Sequence, residues 1–395
     1  LMDFRYKRKY TADEGGKGGA SLCHGKNAEN LVIKVPLGTV IKDAESGLVI
    51  ADLSDHTPVT IAKGGRGGYG NAHFATPTRQ IPKFAKPGMP GEDIQVTLEL
   101  KLIADVGLIG FPNVGKSTLT NALVGEKVAI VSNKAQTTRN RIYGIVNRDD
   151  TQFILLDTPG LHKPKSALGD YMVKVVTSSL SDVDCALLLV EPIPHVGGPE
   201  QALIDRIREE EIPCILCVNK IDTVEPAELL PVIAAYNQAW DGFDAIIPIS
   251  AHTGSGLKDL MKELRKYAQE GPQLFPDGMT TDQPERQVMG EILREKLLLC
   301  LDKEIPHGTA VEITKFSERD SGVIDVDATI YCEKASHKGI IIGKQGAMLK
   351  KISSLARQDM EKFMGTKVYL ETWVKVKENW RDNVNYVRSF GYRDE

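Results

Sequence analysis

One short stretch, GFPNVGKS at residues 110–117, restricts the possible folds of this chain more than any other feature. It matches GxxxxGK[ST] and stands between an apolar run at 102–109 and an amphipathic stretch that begins at Lys116. This order predicts a strand, a tight loop and a helix whose backbone N–H groups and positive dipole end face a phosphate. The predicted nucleotide contacts are Gly110, Asn113, Val114, Gly115, Lys116, Ser117 and Thr118. Lys116 would reach the β and γ phosphates, and Ser117 would bind Mg²⁺.

Apolar runs alternate with amphipathic ones from residue 102 to residue 269, with turn residues between them. The apolar runs predict buried strands at 102–109, 152–156, 185–190, 213–218 and 245–249. The amphipathic stretches predict helices at 116–124, 170–181, 199–210, 226–238 and 257–269. Strand and helix in turn indicate an α/β fold with a doubly wound, mostly parallel sheet that is covered on both faces.

A second phosphate motif, DTPG, follows the predicted strand at 152–156. An aspartate at the end of a strand beside a phosphate loop is suited to hold Mg²⁺, which assigns Asp157 to the metal. Gly160 can direct a backbone N–H at the γ-phosphate, and we count it among the catalytic residues. Alone, DTPG is weak evidence for a nucleotide site, but together with the loop at 110–117 it is strong evidence.

The tetrapeptide NKID after the strand at 213–218 indicates which base the site binds. Asp222 can accept hydrogen bonds from both the N1 and N2 donors of guanine, and adenine lacks that pair of donors. Asn219 and Lys220 complete the motif, while Ser250 and Ala251 would offer a backbone N–H to the guanine O6. The motif favours guanine nucleotides over the alternative of an ATPase or kinase.

The means of hydrolysis is less evident, because Leu161 stands where several GTPases carry the glutamine that orients water. A potassium ion held by Asn113 and the segment 134–141 could supply positive charge at the phosphates. Thr137 and Thr138 are both candidates for the magnesium ligand that senses the γ-phosphate, and we favour Thr138. The alternative for this segment is an ordinary solvated loop.

Composition excludes several other classes of protein. The longest apolar run, at 185–190, is six residues long, far short of the roughly 20 that a membrane-spanning helix needs. The N-terminus has no export signal, and six cysteines are too few for a disulfide scaffold, so we expect a protein of the reducing cytoplasm. Cys214 and Cys217 form a CxxC that could mean metal or redox chemistry, but no second pair completes a site.

The net charge of −4 hides an uneven distribution along the chain. Residues 1–103 carry 14 basic and 11 acidic side chains, residues 104–284 carry 16 and 24, and residues 285–395 carry 19 and 18. Within the last part, residues 334–367 hold eight basic side chains against two acidic ones. Such a basic patch attracts a phosphate backbone.

The basic patch surrounds a GxxG turn. The pattern around it predicts a helix at 285–302, strands at 309–316 and 323–331, a helix at 347–364 and a strand at 367–376. A glycine-rich turn before a basic helix lets an RNA backbone approach closely, as in KH domains of the α+β type II class. The predicted RNA contacts are Gly343, Lys344, Gln345, Gly346, Lys350 and Lys351.

These residues give the chain a resemblance to two families of bacterial GTPases. From about residue 110 to the end, the chain resembles the Era family. The segments that carry this resemblance are GFPNVGKSTLTNALVGEKVAIVS, KAQTTRNRIYGI, DTPGLHKPKSALG, NKID, HKGIIIGKQGAMLKKI and LETWVKVKENWRDN. Residues 1 to about 118 instead resemble the Obg family, in LMDFRYKRKY, HGKNAENLVIKVPLGTVIKD and AKGGRGGYGNAHFATPTRQIP. The two patterns meet inside the phosphate loop, so the chain looks like an Obg/Era hybrid.

The resemblance implies four parts: a truncated Obg-like glycine-rich segment at 1–101, an Era-type GTPase domain at 102–272, a linker at 273–284 and a KH domain at 285–395. Glycine-rich segments of the Obg family form extended left-handed strands, which implies partial β and polyproline structure at the N-terminus. The glycine clusters at 15–19 and 64–70 and short β-like runs at 31–35, 39–41 and 59–61 fit this description. A half domain with few apolar residues could equally stay unfolded.

The motifs predict a GTPase that hydrolyses GTP to GDP and phosphate, with Mg²⁺ as cofactor and K⁺ as the candidate activator, and the Era resemblance is consistent with this activity. This resemblance also implies binding of the 3′ region of small-subunit ribosomal RNA and association with the inner face of the cell membrane. Two alternatives remain open: an RNA-binding assembly factor whose GTP site is structural, and an Obg-like factor for the large subunit. A third reading is an interaction protein that docks a partner through its N-terminus.

Overall fold

The computed structural model describes most of the chain in two compact units, Leu1–Ile103 and Ala104–Glu395. The described residues are 9–13, 28–35, 39–53, 57–65, 74–78, 80, 82, 89–100, 104–134, 136–161, 166–180, 183–270 and 273–392. The predicted glycine cluster at 15–19 lies outside these residues, as does most of the cluster at 64–70.

The described part of the first unit contains a three-stranded antiparallel sheet in the order β2-β1-β3. Its strands are β1 (Thr39–Asp43), β2 (Val49–Leu53) and β3 (Val96–Leu100). Val40 and Ile41 are buried, and they give this small sheet its apolar centre. Of the predicted β-like runs, only 39–41 is confirmed. The runs at 31–35 and 59–61 form no strand, and Val32, for example, is 74% exposed.

The second unit begins with a six-stranded sheet in the order β5-β6-β4-β7-β8-β9. Every pair of neighbouring strands is parallel except β5 and β6. Its elements are β4 (Ala104–Gly110), α1 (Lys116–Val124), β5 (Ile142–Arg148), β6 (Thr151–Asp157), α2 (Ala167–Leu180), β7 (Val183–Val190), α3 (Gly198–Glu209), β8 (Cys214–Val218), α4 (Pro226–Ala239), β9 (Ala245–Pro248) and α5 (Leu257–Leu264). The predicted doubly wound, mostly parallel sheet is therefore confirmed.

Separate hydrophobic cores cover the two faces of this sheet. On one face Leu119 and Leu123 of α1 pack with Leu260 and Leu264 of α5. On the other face α3 and α4 contribute Ile207 and Val232, which are fully buried, and α2 contributes its last residue, Leu180. Because both faces are covered, the strands read as continuous apolar runs, which is why the sequence predicted them.

Strand β5 was missed, and with it the one antiparallel pair. It forms a hairpin with β6 in which Arg148 pairs with Thr151, and Asp149 and Asp150 make the turn. The φ angle of +53° at Asp149 is one that aspartate tolerates better than most residues. Two β-rich runs separated by two turn residues are a hairpin signal, so this strand could have been found.

The C-terminal half of the second unit is an α+β layer built on a sheet in the order β10-β11-β12. Its elements are α6 (Glu285–Cys300), β10 (Ala310–Glu318), β11 (Ile324–Cys332), α7 (Ala335–Ile342), α8 (Ala347–Met364), β12 (Val368–Val376) and α9 (Val384–Ser389). The predicted β-β-α-β order omitted α7, because its run of isoleucines beside Gly339 resembles a strand more than a helix. The sequence also missed α9.

The two halves of the second unit pack on one another. Leu168 and Met172 of α2 form a buried cluster with Trp380, Val387 and Tyr392 near the C-terminus. The predicted linker at 273–284 also contacts the six-stranded sheet. Thr281 bridges to Gly144 of β5, and the backbone N–H groups of residues 274 and 275 donate to the Gln152 side chain.

The CxxC pair does not form a joint site. Cys214 and Cys217 are both fully buried in β8, but they face the two different cores of the sheet. Burial raises the pKa of both thiols, which opposes formation of the thiolate that a metal requires. The described residues contain no group of three or more His, Cys, Asp or Glu side chains suited to a metal, and none of the described helices is long and apolar enough to span a membrane.

Candidate nucleotide site and RNA interface

The predicted nucleotide residues meet at the carboxyl edge of the six-stranded sheet, on the loops that follow β4, β6, β8 and β9. The phosphate loop leads directly into α1, whose N-terminal cap is Gly115 with φ +96°. A Cβ at this position would lie 2.3 Å from Asn219 Nδ2, so the residue must be glycine. Parallel strands that diverge at such an edge leave a crevice for a ligand.

A cavity of about 500 Å³ opens over the phosphate loop. The predicted residues that line it are Asn113, Gly115, Lys116, Ser117, Thr118, Thr138, Gly160 and Lys220. The remaining predicted nucleotide residues are not in its lining: Gly110, Val114, Asp157, Asn219, Asp222, Ser250 and Ala251. The cavity thus corresponds to the phosphate end of the predicted site, and the base motif lies beside it.

Three oxygen-bearing side chains from different parts of the sequence converge at the end of this cavity. Ser117 Oγ donates to Asp157 Oδ2 at 2.6 Å and lies 2.9 Å from Thr138 Oγ1. Asp157 is fully buried, and its other oxygen, Oδ1, has no hydrogen-bond partner among the described residues. One carboxylate and two hydroxyls supply the hard oxygen ligands that Mg²⁺ prefers, and Asp157 Oδ1 is available to bind a metal. The cluster therefore fits a Mg²⁺ ion.

Lys116 is a buried cation on the floor of the cavity. Its Nζ donates to the carbonyl oxygens of Gly110 and Phe111, at 2.9 and 3.2 Å. Burial lowers the pKa of Lys116 to about 8, although the Asp157 carboxylate acts in the opposite direction. Burial likewise raises the pKa of Asp157 to about 6, against the effects of Lys116 and Ser117. Burial thus disfavours the charged form of each group. An anionic phosphate would stabilise the Lys116 ammonium, and a metal cation would stabilise the Asp157 carboxylate.

Asn219 joins the base motif to the phosphate loop. Its Nδ2 donates to the Val114 carbonyl at 2.7 Å, and its Oδ1 accepts from the Ala251 N–H at 3.0 Å. The Ala251 N–H therefore holds Asn219 in this structure, whereas the sequence had assigned it to the guanine O6. Asp222 accepts from Ser250 Oγ at 2.6 Å, and this hydrogen bond lowers the pKa of the Asp222 carboxyl.

The segment 134–141 is not the solvated loop that one interpretation predicted. Thr138 is 7% exposed and Arg139 is 2% exposed. The Arg139 guanidinium donates to the carbonyls of His307 and Thr309, at 3.0 and 2.9 Å. Lys134 Nζ donates to the Leu298 carbonyl at 2.6 Å. Both side chains therefore donate to the C-terminal half, while Lys134 also lines the cavity. That Asn113 and this segment hold a potassium ion stays a prediction.

The GxxG turn stands between α7 and α8. Residues Lys344–Gly346 form a short turn in which Gln345, at φ +53°, has left-handed backbone, and Gly346 caps the N-terminus of α8 with φ +80°. The side chains of Lys344, Lys350 and Lys351 are exposed. Lys344 and Gln345 of the turn are exposed, whereas Gly343 and Gly346 are partly buried, and the shared RNA surface of these residues and the two helix lysines stays a prediction.

Comparison with known proteins assigns each part of the chain. Family models described as GTP1/OBG, as 50S ribosome-binding GTPase and as KH domain match residues 1–102, 105–220 and 304–381. The GTPase Era of Ruminiclostridium cellulolyticum is 50% identical over 288 residues, which is 73% of this chain and 96% of that protein. The GTPase Era of Clostridioides difficile is 49% identical over 293 residues, 73% of this chain and 98% of that protein.

This chain belongs to the Era family of GTPases. Two solved Era structures have a TM-score of 0.71 to this chain, cover 74% of it and are themselves covered to 99%. One, 40% identical, is a complex with MgGDPNP and nucleotides 1506–1542 of 16S ribosomal RNA, and the other, 39% identical, is a variant of Aquifex aeolicus Era bound to GDP and AlF₄⁻. The GTP1/OBG match at residues 1–102 confirms that this Era chain carries an Obg-type segment.

Sequence reasoning missed part of this Era site. The cavity is also lined by residues outside every motif or segment predicted for the site: Ile130, Val131, Ser132, Asn133 and Glu191. Pro112 and Thr158 line it from within the two phosphate motifs, and Lys134, Gln136 and Thr137 from within the predicted segment 134–141. Glu191 follows β7 and forms an ion pair with Lys220, so its place at a strand end was a usable signal. No local pattern marks residues 130–133, because their position depends on contacts with the distant helix α6.

Proposed function

We propose that this Era-family chain hydrolyses GTP to GDP and phosphate and couples its nucleotide state to binding of small-subunit ribosomal RNA. The observation that carries the proposal is the convergence of Ser117, Thr138 and Asp157 at a phosphate loop, in one compact unit with a GxxG turn. The solved Era complex with MgGDPNP and 16S ribosomal RNA supports it. Following the family resemblance, we extend the proposal to peripheral association with the inner face of the membrane.

We assign a residue to each expected contact with the phosphates and Mg²⁺. Backbone N–H groups of the loop, Val114 and Gly115 among them, surround the β-phosphate, and Lys116 exchanges its carbonyl partners for phosphate oxygens. Ser117, Thr138 and Asp157 hold Mg²⁺, which neutralises phosphate charge when it is bound. Gly160, beside the loop in the cavity lining, directs its N–H at the γ-phosphate.

The base contacts follow from the geometry beside the cavity. Asn219 fixes the phosphate loop to the base motif, and Asp222, oriented by Ser250, accepts from N1 and N2 of guanine. Lys220, with φ +66°, holds Glu191 at the cavity edge. Adenine offers Asp222 no matching pair of donors, so the site selects GTP over ATP.

The charge that assists hydrolysis does not come from a cationic side chain that the sequence predicted for this role. Lys134 and Arg139 are engaged by the C-terminal half, and Leu161 has no polar group to orient water. We assign this work to K⁺ held by Asn113, which lines the cavity and is exposed, together with the segment 134–141. We expect replacement of K⁺ by Na⁺ at constant ionic strength to slow single-turnover hydrolysis at least severalfold, about 0.7 kcal/mol or more in barrier height. Equal rates would remove Asn113 from this role.

The RNA surface consists of the GxxG turn and the lysines behind it. Gly343, Lys344, Gln345 and Gly346 allow the phosphate backbone to approach, and Lys350 and Lys351 add positive charge. Ile340 beside the turn is 50% exposed and offers apolar surface to unstacked bases. Recognition is therefore of single-stranded RNA.

Which ribosomal subunit the chain recognises is the point to test first. One matching family model is named for 50S binding, while the solved Era complex contains 16S ribosomal RNA. We expect crosslinks of the full GTP-bound chain in lysate to accumulate near the 3′ end of the small-subunit RNA, because the GxxG turn sets the target. Crosslinks concentrated in large-subunit RNA would overturn this assignment and favour the Obg-like alternative.

A further inference from the structure

Helix α6 of the C-terminal half holds the segment that lines one side of the nucleotide cavity. The Arg294 guanidinium donates to the Thr137 carbonyl. The next residue, Glu295, accepts from the Val131 N–H at 3.0 Å and from Lys127 Nζ at 2.6 Å. The carbonyl groups at the end of the helix accept from Lys134. One helix therefore fixes the cavity segment at four places along its length.

Arg294 has the surroundings of a residue that must keep one orientation. Its side chain is 1% exposed, and Glu291, one turn earlier, receives hydrogen bonds from both Nε and Nη2, at 2.9 and 2.5 Å. Burial alone would lower the pKa of Arg294, but the Glu291 carboxylate raises it above its ordinary value. The guanidinium therefore stays charged, and its hydrogen bond to Thr137 is a charge-assisted one.

The Thr137 carbonyl belongs to the same rigid peptide group as the Thr138 nitrogen. A donor that fixes this carbonyl therefore limits how the Thr138 backbone can rotate. Thr138 Oγ1 lies 2.9 Å from Ser117 Oγ, within the cluster that we assign to Mg²⁺. We propose that Arg294 is a positioning residue that holds Thr138 at this cluster, so that the RNA-binding half of the chain contributes to GTP affinity. This inference rests on the proposed function.

The other side of Thr138 is tied to the same half of the molecule. Arg139 lies 5.7 Å from the centroid of the Trp380 ring and 5.9 Å from that of Tyr392, in addition to its two carbonyl contacts. Both arginines nevertheless leave one buried nitrogen without a hydrogen-bond partner among the described residues, Nε of Arg139 and Nη1 of Arg294. A buried donor without a partner costs free energy. This cost opposes the packing of the two halves of the second unit, because both nitrogens could bind water if the halves moved apart.

The first test compares Arg294→Met with Arg286→Met in the full chain. Arg286 lies on the same helix and also donates to a carbonyl, that of Ile313, but this acceptor belongs to the C-terminal half. We measure equilibrium affinities for a non-hydrolysable GTP analogue and for GDP with Mg²⁺ present. Arg294→Met should lower the ratio of GTP-analogue to GDP affinity about tenfold, and Arg286→Met should leave it unchanged. An unchanged ratio in Arg294→Met would overturn the inference.

A double-mutant cycle with Thr138→Ala tests whether Arg294 acts through Thr138. If it does, Arg294→Met lowers the affinity ratio in the natural chain and has no further effect in the Thr138→Ala background. Two independent, additive effects would contradict the proposed route. Should Arg294→Met fail to fold, Arg294→Lys keeps a single donor and is expected to reduce the ratio about threefold. A ratio unchanged in this variant would count against the inference just as decisively.

Failure of this inference can be told apart from failure of the proposed function. If the natural chain binds neither nucleotide, the proposed GTP site is wrong and the comparison of variants has no starting value. If the natural chain binds both nucleotides and Arg294→Met keeps the natural ratio, only the role of Arg294 is wrong. Reciprocity gives a second readout. The factor by which RNA changes the GTP-analogue affinity must equal the factor by which the GTP analogue changes the RNA affinity, and Arg294→Met should reduce both measurements of this coupling equally.

Discussion

Replacement of Lys116 by alanine is expected to reduce GTP turnover by about a thousandfold or more, to background. Lys116 is a buried cation in the cavity lining, and the phosphate-loop motif assigns its ammonium group to the β and γ phosphates. Its present partners are two neutral carbonyl groups and the nearby Asp157, so it is free to exchange them for phosphate oxygens. Single-turnover hydrolysis with purified protein measures the loss.

Two controls separate lost chemistry from lost structure. Lys116→Met keeps most of the side-chain volume and removes a buried charge, so we expect its thermal unfolding midpoint to stay within a few degrees of the natural value. Lys262→Met on the exposed end of α5 removes a lysine outside the cavity and should leave turnover unchanged. Natural turnover in Lys116→Ala would contradict the proposed role and favour the alternative of a structural GTP site.

The sequence was most informative where local chemistry and structure coincide. The bounds of α1 and α8 were predicted to the residue, because a glycine precedes each helix and another follows it. The strands of the parallel sheet were found because burial on both faces makes them continuous apolar runs. Ser117 and Asp157, which we propose as Mg²⁺ ligands, could be named in advance because they stand in motifs whose spacing reflects the loop and strand that carry them.

The features that the sequence did not reveal depend on contacts between distant residues. Arg139 and Arg294 look like ordinary surface charges in the sequence, yet each is almost fully buried where the two halves of the second unit meet. Arg294 lies 157 positions from the residue whose carbonyl it binds, and no periodic pattern records such a pairing. The sequence favoured Thr138 over Thr137, but the position of Thr138 Oγ1 beside Ser117 Oγ is visible only in the structure.

Introduction of a carboxylate into the GxxG turn should weaken RNA binding strongly, and Gly346 is the position at which to test it. A side chain at Gly343 would mix two effects, because a Cβ there would lie 2.7 Å from the Cβ of Met348. At Gly346 a Cβ would have no neighbour within 4 Å among the described residues, although φ is +80°. Aspartate and asparagine have the same shape and accept this conformation better than most residues, so they form a matched pair.

We expect Gly346→Asp to bind single-stranded RNA from the 3′ end of small-subunit ribosomal RNA at least about tenfold more weakly than Gly346→Asn, since only the aspartate repels the phosphate backbone. The lysines at 344, 350 and 351 make this surface positive, so the added charge acts where phosphates would lie. The difference between the two variants should shrink as salt rises, because exposed charges are screened. Equal affinities at low salt would show that the backbone does not pass this turn, and the RNA-binding assignment would fail while the nucleotide site remained intact.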